Sequence, residues 1–163
     1  MQRRLLLTTA AAAALAGCGF QLRRAPEFAF NTMVVPASGG VATELRRTLA
    51  SVPNVKVLPV GASMNDAQVV LDIIDNSQQK VVVGINAAGQ VREFQLRSRL
   101  KFRLRTPQGR ELIPETELLQ TRDVSFNESA VLAKEAEENL LYRDMQTDLV
   151  QQLMRRLAAV KQI

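Results

Sequence analysis

From Gln95 to Arg105 the chain reads QLRSRLKFRLR, and this stretch constrains the fold more than any other. Leu96, Leu100, Phe102 and Leu104, with Ser98 as a polar interruption, stand one step out of phase with Arg97, Arg99, Lys101, Arg103 and Arg105. A period of two belongs to a β-strand, whose successive side chains point to opposite faces. One face of that strand is apolar and asks for a covering layer. The other carries five cations.

Turn signals bound the strand on both sides. INAAGQ (residues 85–90) is a hairpin tip in which Gly89 supplies the turn, and TPQGRE (residues 106–111) places Pro and Gly as a second turn demands. The basic strand then spans about residues 91–105, in the middle of an antiparallel meander. Before it lie the apolar runs 69–74 and 80–85, one long strand or two joined ones, and after it residues 112–126 return.

Upstream, NTMVV (residues 31–35) is a β-branched run stopped by Pro36. Val41, Leu45, Leu49 and Val52 recur at helical spacing until Pro53, and Ser38-Gly39-Gly40 is a turn that can cap this helix. VKVLPV (residues 55–60) reads as a second strand, and Pro59 suits an edge. Strand, helix and strand make a parallel βαβ unit. The last segment is a long helix with the apolar stripe Leu141, Met145, Leu149, Leu153, Leu157 and Val160. SFNE (residues 125–128) has capping-box spacing before it, with Asn127 as the other candidate cap. Glu135, Glu137 and Glu138 fall early in it, and Arg155, Arg156 and Lys161 late, as the helix macrodipole prefers. The order β-α-β-β-β-β-α predicts an α+β fold with two helices on one face of a sheet.

The first residues address the compartment. Arg3 and Arg4 precede an apolar run from Leu5 to Ala16 broken only by Thr8 and Thr9, which suits a secretory signal and falls short of the ~18–20 residues of a membrane span. Leu15-Ala16-Gly17-Cys18 resembles the bacterial lipobox, in which the cysteine is linked to diacylglycerol and becomes the new N-terminus. Cys18 is the chain's one cysteine, so an intramolecular disulfide is excluded and acylation is the expected fate. Gly19 is not the aspartate that commonly retains such proteins at the inner membrane, which points by resemblance to the outer membrane. Residues 1–17 are expected to be removed, residues 18–30 to form a tether with Pro26, Arg23 and Arg24, and residues 31–163 to form one domain. Losing Arg3 and Arg4 lowers the net charge from +5 to +3.

Candidates for chemistry are few. The chain has no histidine, and no phosphate-cradling glycine loop or nucleophile elbow, so neither a metal nor a cofactor is expected. Asp72 with Asp75 and Glu115 with Glu117 are the carboxylate pairs a hydrolase would need, but such pairs are usually solvated strand residues or partners for nearby cations. Nucleic-acid binding needs stacking aromatics, and the chain has no Trp and one Tyr. The cationic face is left with three readings. It is a solvated face balanced by Glu115, Glu117 and Asp123, a contact with the polar interior of a β-barrel, or a contact with lipid A phosphates.

The chain also resembles the lipopolysaccharide-assembly lipoprotein family LptE. The resemblance is carried by Cys18-Gly19-Phe20-Gln21-Leu22-Arg23, by Gly89-Gln90 followed by Glu93-Phe94-Gln95-Leu96, and by Leu132-Ala133-Lys134-Glu135. Tyr142-Arg143-Asp144-Met145 and Gln152-Leu153-Met154-Arg155-Arg156-Leu157 add to it. It implies two helices on a mostly antiparallel four-stranded sheet. With the reading above, the expectation is a mixed, mostly antiparallel sheet of four to five strands. It further implies a non-enzymatic outer-membrane lipoprotein, on the periplasmic side, that plugs the LptD β-barrel, helps it fold and binds lipopolysaccharide. Lys134 matches one basic position implicated in lipopolysaccharide binding in the family. The other, an arginine just before the hairpin glycine, is absent, because the tip reads Asn86-Ala87-Ala88-Gly89. Arg92 is the neighbouring substitute. The plainer account of Lys134 is a helix-surface lysine paired with Glu138 one turn on. The alternative function is a lipoprotein pilot for another outer-membrane assembly, such as a secretin.

Overall fold

The computed structural model describes residues 26–127 and 131–163. Cys18, the lipobox, the segment 18–25 and Glu128 lie outside them. Strands β1 (Thr32–Val34), β2 (Lys56–Val57), β3 (Val69–Ile85), β4 (Val91–Arg105) and β5 (Glu111–Ser125) form one sheet in the order β2-β1-β3-β4-β5. Helix α1 (Gly40–Ala50) joins β1 to β2, a 3-10 turn (Met64–Asp66) precedes β3, and α2 (Val131–Ala158) closes the chain. The fold is α+β with a five-stranded mixed sheet, as the alternating and helical periods require.

The βαβ unit is parallel, and β1 also runs parallel to the start of β3. From there β3, β4 and β5 are an antiparallel meander. The two apolar runs before the hairpin form one strand, kinked where Ile74 bulges out of register between Ile73 and Asp75. The strand expected over 55–60 is reduced to Lys56–Val57, because Pro59 lacks a ladder donor, and it lies at the sheet edge. Only Val69 and Val70 of β3 pair with β1. Beyond them, that side of β3 has no strand neighbour among the described residues.

Both helices pack on the same sheet face. Leu71, Leu100, Phe102, Leu104 and Leu118 meet Leu45 and Leu49 of α1 and Leu149, Val150, Leu153 and Leu157 of α2. The stripe on α2 is buried as its spacing predicts, except that Leu141 is only partly covered, Val160 lies past the end of the helix, and Val150 and Met154 widen it. Towards the β3–β4 hairpin a smaller cluster of Leu96, Val124 and Met145 takes over. Between the two clusters Ser98 is buried, and its hydroxyl finds no hydrogen-bond partner among the described residues. Its cross-strand neighbours are Gln78 and Gln120, so a polar row divides the covered face.

The helix starts differ from the capping expectation. Ser38 makes no cap, and the N-cap of α1 is Gly39 at φ 106°, a conformation open mainly to glycine. Gly40 lies against Gln146, where a Cβ would collide. The helices are tied there by Glu44, which accepts from Gln146 Nε2 at 2.6 Å and Thr147 Oγ1 at 2.8 Å. Ser125 ends β5.

Candidate functional site

The uncovered face of the sheet carries the basic strand. Arg97, Arg99, Lys101, Arg103 and Arg105 project there from β4, away from the helices, because Leu96, Leu100, Phe102 and Leu104 are fully buried on the other side. They do not form a continuous positive stripe. Asp72 on β3 takes both Arg103 and Arg105, Nε to Oδ2 at 2.9 and 2.7 Å. Asp75 takes Arg99, Nε to Oδ2 at 2.9 Å, with Ser77 Oγ donating to the same oxygen at 3.0 Å. Lys101 Nζ lies 3.6 Å from Glu117 and 4.0 Å from Glu115 on β5.

All four carboxylates considered above as hydrolytic pairs are thus partners of the basic strand. Asp123, expected to balance the cations, instead accepts from Gln95 Nε2 at 2.9 Å, and Gln95 Oε1 accepts from Arg97 Nε at 2.8 Å. Burial pushes the Asp72 carboxyl up, but the hydrogen bonds and charges of Arg105 and Arg103 outweigh it and hold the group below its ordinary value. The hydrogen bond to Asp72, then its charge, raises Arg103 further.

The sequence leaves the share of β3 in this balance open, with Asp72 and Asp75 as solvated residues or cation partners, although a sharper signal exists. Counting back symmetrically from the hairpin tip puts Asp75 opposite Lys101, and this is the register found. The bulge at Ile74 then moves Asp72 opposite Arg103.

The two remaining candidates lie at the hairpin end. Lys134, in the first turn of α2, donates to Glu137 Oε2 at 2.8 Å and to Ser125 Oγ at 3.2 Å. Its partner is Glu137 and not the expected Glu138. Ser125 faces Glu93 across the β4–β5 ladder, which puts Lys134 and Arg92 at the same end of the sheet. Arg92 is exposed, lines a shallow cleft with Gln90, Val91 and Asn127, and its carbonyl accepts from Phe126 N at 2.8 Å. The tip itself is shaped by Asn86, whose Oδ1 accepts from Ala88 N at 3.0 Å and Gln90 N at 2.9 Å, with Gly89 at φ 79°. Exposed apolar side chains crowd the same end: Ile85 is 65% and Leu132 82% exposed, and Val82 and Val83 are also open.

Glu138 is engaged elsewhere, in an ion pair with Lys80 of β3. The Lys80 ammonium also sits 4.1 Å above the Phe94 ring, which meets Phe126 edge-on at 5.2 Å. Tyr142 Oη donates to Gln79 O at 2.9 Å. Burial, and secondarily the Glu138 charge, raises this phenol. Phe94 and Tyr142, both in the segments that resemble LptE, therefore serve to fasten α2 to the hairpin.

Comparison with known proteins gives this architecture a family. The family model for LptE, "Lipopolysaccharide-assembly", matches residues 26–157. The chain is similar to the LPS-assembly lipoprotein LptE of Pectobacterium atrosepticum, 28% identical over 149 residues covering 89% of this chain and 79% of that protein. Its structure resembles lipoprotein B of Nitrosomonas europaea, with TM-score 0.73 and 32% identity over 86% of this chain and 91% of that one. The rare lipoprotein B of Shewanella oneidensis shares the fold, with TM-score 0.66 and 22% identity over 79% and 95% of the two chains. Among the described residues no helix is long and apolar enough to cross a membrane. With the match running from the residues before β1 to the last turn of α2, the chain belongs to the LptE lipopolysaccharide-assembly family.

Proposed function

We propose that this protein is an outer-membrane lipoprotein, anchored through a lipid on Cys18 after removal of residues 1–17. In this reading it plugs and helps assemble an LptD-type β-barrel and binds lipopolysaccharide on its way to the cell surface. Family membership supports the setting. The observation that carries the binding role is the hairpin end, where Lys134 and Arg92 lie at the same end of the sheet as the exposed apolar Ile85 and Leu132. Lipid A joins phosphates to acyl chains, and such a ligand asks for cations next to apolar surface. The polar, charge-balanced outer face bearing Arg97, Arg99, Lys101, Arg103 and Arg105 suits the polar lumen of a barrel. No catalytic step is assigned, since Asp72, Asp75, Glu115 and Glu117 hold cations.

Full-length lipoprotein purified from its native outer membrane in mild detergent tests the partner. A stoichiometric large β-barrel of the LptD type is expected, and recovery of another assembly, or of no barrel, rejects the reading. Capture of lipopolysaccharide should weaken in Lys134→Glu with the fold intact. Unchanged capture removes Lys134 from the site. One observation favours a second reading: Lys134 is paired with Glu137 and the hairpin tip has no cation. A pilot for another outer-membrane complex, such as a secretin, would use the same anchor without affinity for lipopolysaccharide.

A further inference from the structure

The outer sheet face divides along β4 into a neutralised end and an open one. Around Lys101, Arg103 and Arg105 the acids Asp72, Glu115 and Glu117 provide direct partners, and Glu111 is the Cα partner of Arg105. The next two cross-strand rows contain no acid. They read Ser77, Arg99, Leu119 and Gln79, Arg97, Thr121. Arg99 uses Nε on Asp75 and Ser77, and Arg97 uses Nε on Gln95. The terminal nitrogens of both guanidinium groups have no partner among the described residues. Between them lies a shallow cavity of about 140 Å³ lined by Ser77, Gln79, Arg97, Arg99, Glu117 and Leu119.

We infer that this cavity is a docking point for one aspartate or glutamate carboxylate of a protein partner, held between Arg97 and Arg99. The inference rests on the reading that this face meets a barrel lumen, and it names where on the face the contact is made. Planar guanidinium groups with free terminal N–H donors match the two oxygens of a carboxylate. Charge selects the ligand further. Asp75 neutralises Arg99 and Lys101 neutralises Glu117, so Arg97 leaves the pocket with a single net positive charge. A monoanion satisfies it, whereas a phosphate monoester would bring excess charge. Leu119 is the one apolar residue among those lining the cavity, too small a bed for an acyl chain.

The test uses the full-length lipoprotein expressed with its native outer-membrane partner, in the Arg97→Glu, Arg97→Lys and Arg103→Glu forms. Barrel recovery and lipopolysaccharide capture are both measured after a salt wash, and thermal melting reports whether each variant is folded. The expected result is roughly tenfold lower barrel retention for Arg97→Glu, the scale of reversing a charge that faces a carboxylate. Partial recovery is expected in Arg97→Lys, with lipopolysaccharide capture unchanged. Unaltered retention in folded Arg97→Glu overturns the pocket while leaving the barrel reading standing, and so does a loss confined to Arg103→Glu. Loss of lipopolysaccharide capture alone overturns it in favour of a lipid phosphate. If the unsubstituted chain brings no barrel, the pocket and the reading beneath it fall together.

Discussion

Lys80 and Glu138, 58 residues apart in sequence, form an ion pair that joins the β3–β4 hairpin to α2. The pair is mostly shielded, with side-chain exposures of 34% and 13%, and Phe94 lies under the ammonium. Lys80→Ala should cost about 1–2 kcal/mol from the ion pair and cation–π contact together. Glu138→Gln should cost less, because the aromatic contact survives. The loss should be local, appearing as faster amide exchange in residues 80–96 while the main core keeps its protection. Uniform loss of protection across the sheet would show that the pair does more than fasten the hairpin.

Asp72 is the shared acceptor of Arg103 and Arg105, and its carboxyl titrates below the ordinary range. A depressed folded value contributes stability that is full above the unfolded value and is lost as pH falls through the folded one. Asp72→Asn should therefore lower stability by about 1 kcal/mol at neutral pH. The gap between the two proteins should close on acidification. Urea midpoints from about pH 7 to about pH 2 measure it, and a gap independent of pH would assign the effect to shape instead of charge.

Ser98 offers the opposite sign. Its hydroxyl is buried without a partner among the described residues, so removing it relieves a desolvation cost. Ser98→Ala should raise stability by about 1 kcal/mol, whereas Leu100→Ala, two residues on and fully buried, should lower it by about 2–5 kcal/mol. Equilibrium unfolding of both variants decides whether the polar row is a local cost or a requirement of the fold.

Cys18→Ala should move the protein from the membrane fraction to the soluble fraction, because it removes the proposed lipid anchor. Retention in the membrane after this change would count against lipidation as the anchor. It would point instead to the partner as the means of attachment.

The sequence showed the basic strand almost to the residue, because period-two alternation between two glycine turns leaves few alternatives: Val91–Arg105 is where it was expected. The stripe on α2 was legible for the same reason, through its 3.6-residue period. What escaped were the relations that depend on register. Which cations Asp72 and Asp75 serve stays open in the sequence, because nothing local shows the bulge at Ile74 that sets Asp72 opposite Arg103. Glu138 was assigned to Lys134 by helix spacing, and a strand lysine far away in sequence won it instead. The hairpin-end site was half visible, since Lys134 and Arg92 were named singly but their common position follows only from the Ser125–Glu93 pairing.

The side of β3 that faces away from β4 has no ladder partner beyond Val70 among the described residues. Its backbone donors and acceptors form a ready template for any extended segment that drifts past, moderated by the kink at Ile74 and by Tyr142 at Gln79. Under the proposed function the vulnerability is one of timing: the danger lies in the interval between export and burial in a complex. Overproduced without its partner, the chain should be lost to self-association and proteolysis sooner than its melting temperature would suggest. Supplying the partner should lengthen its lifetime in the cell even where no contact within the monomer changes.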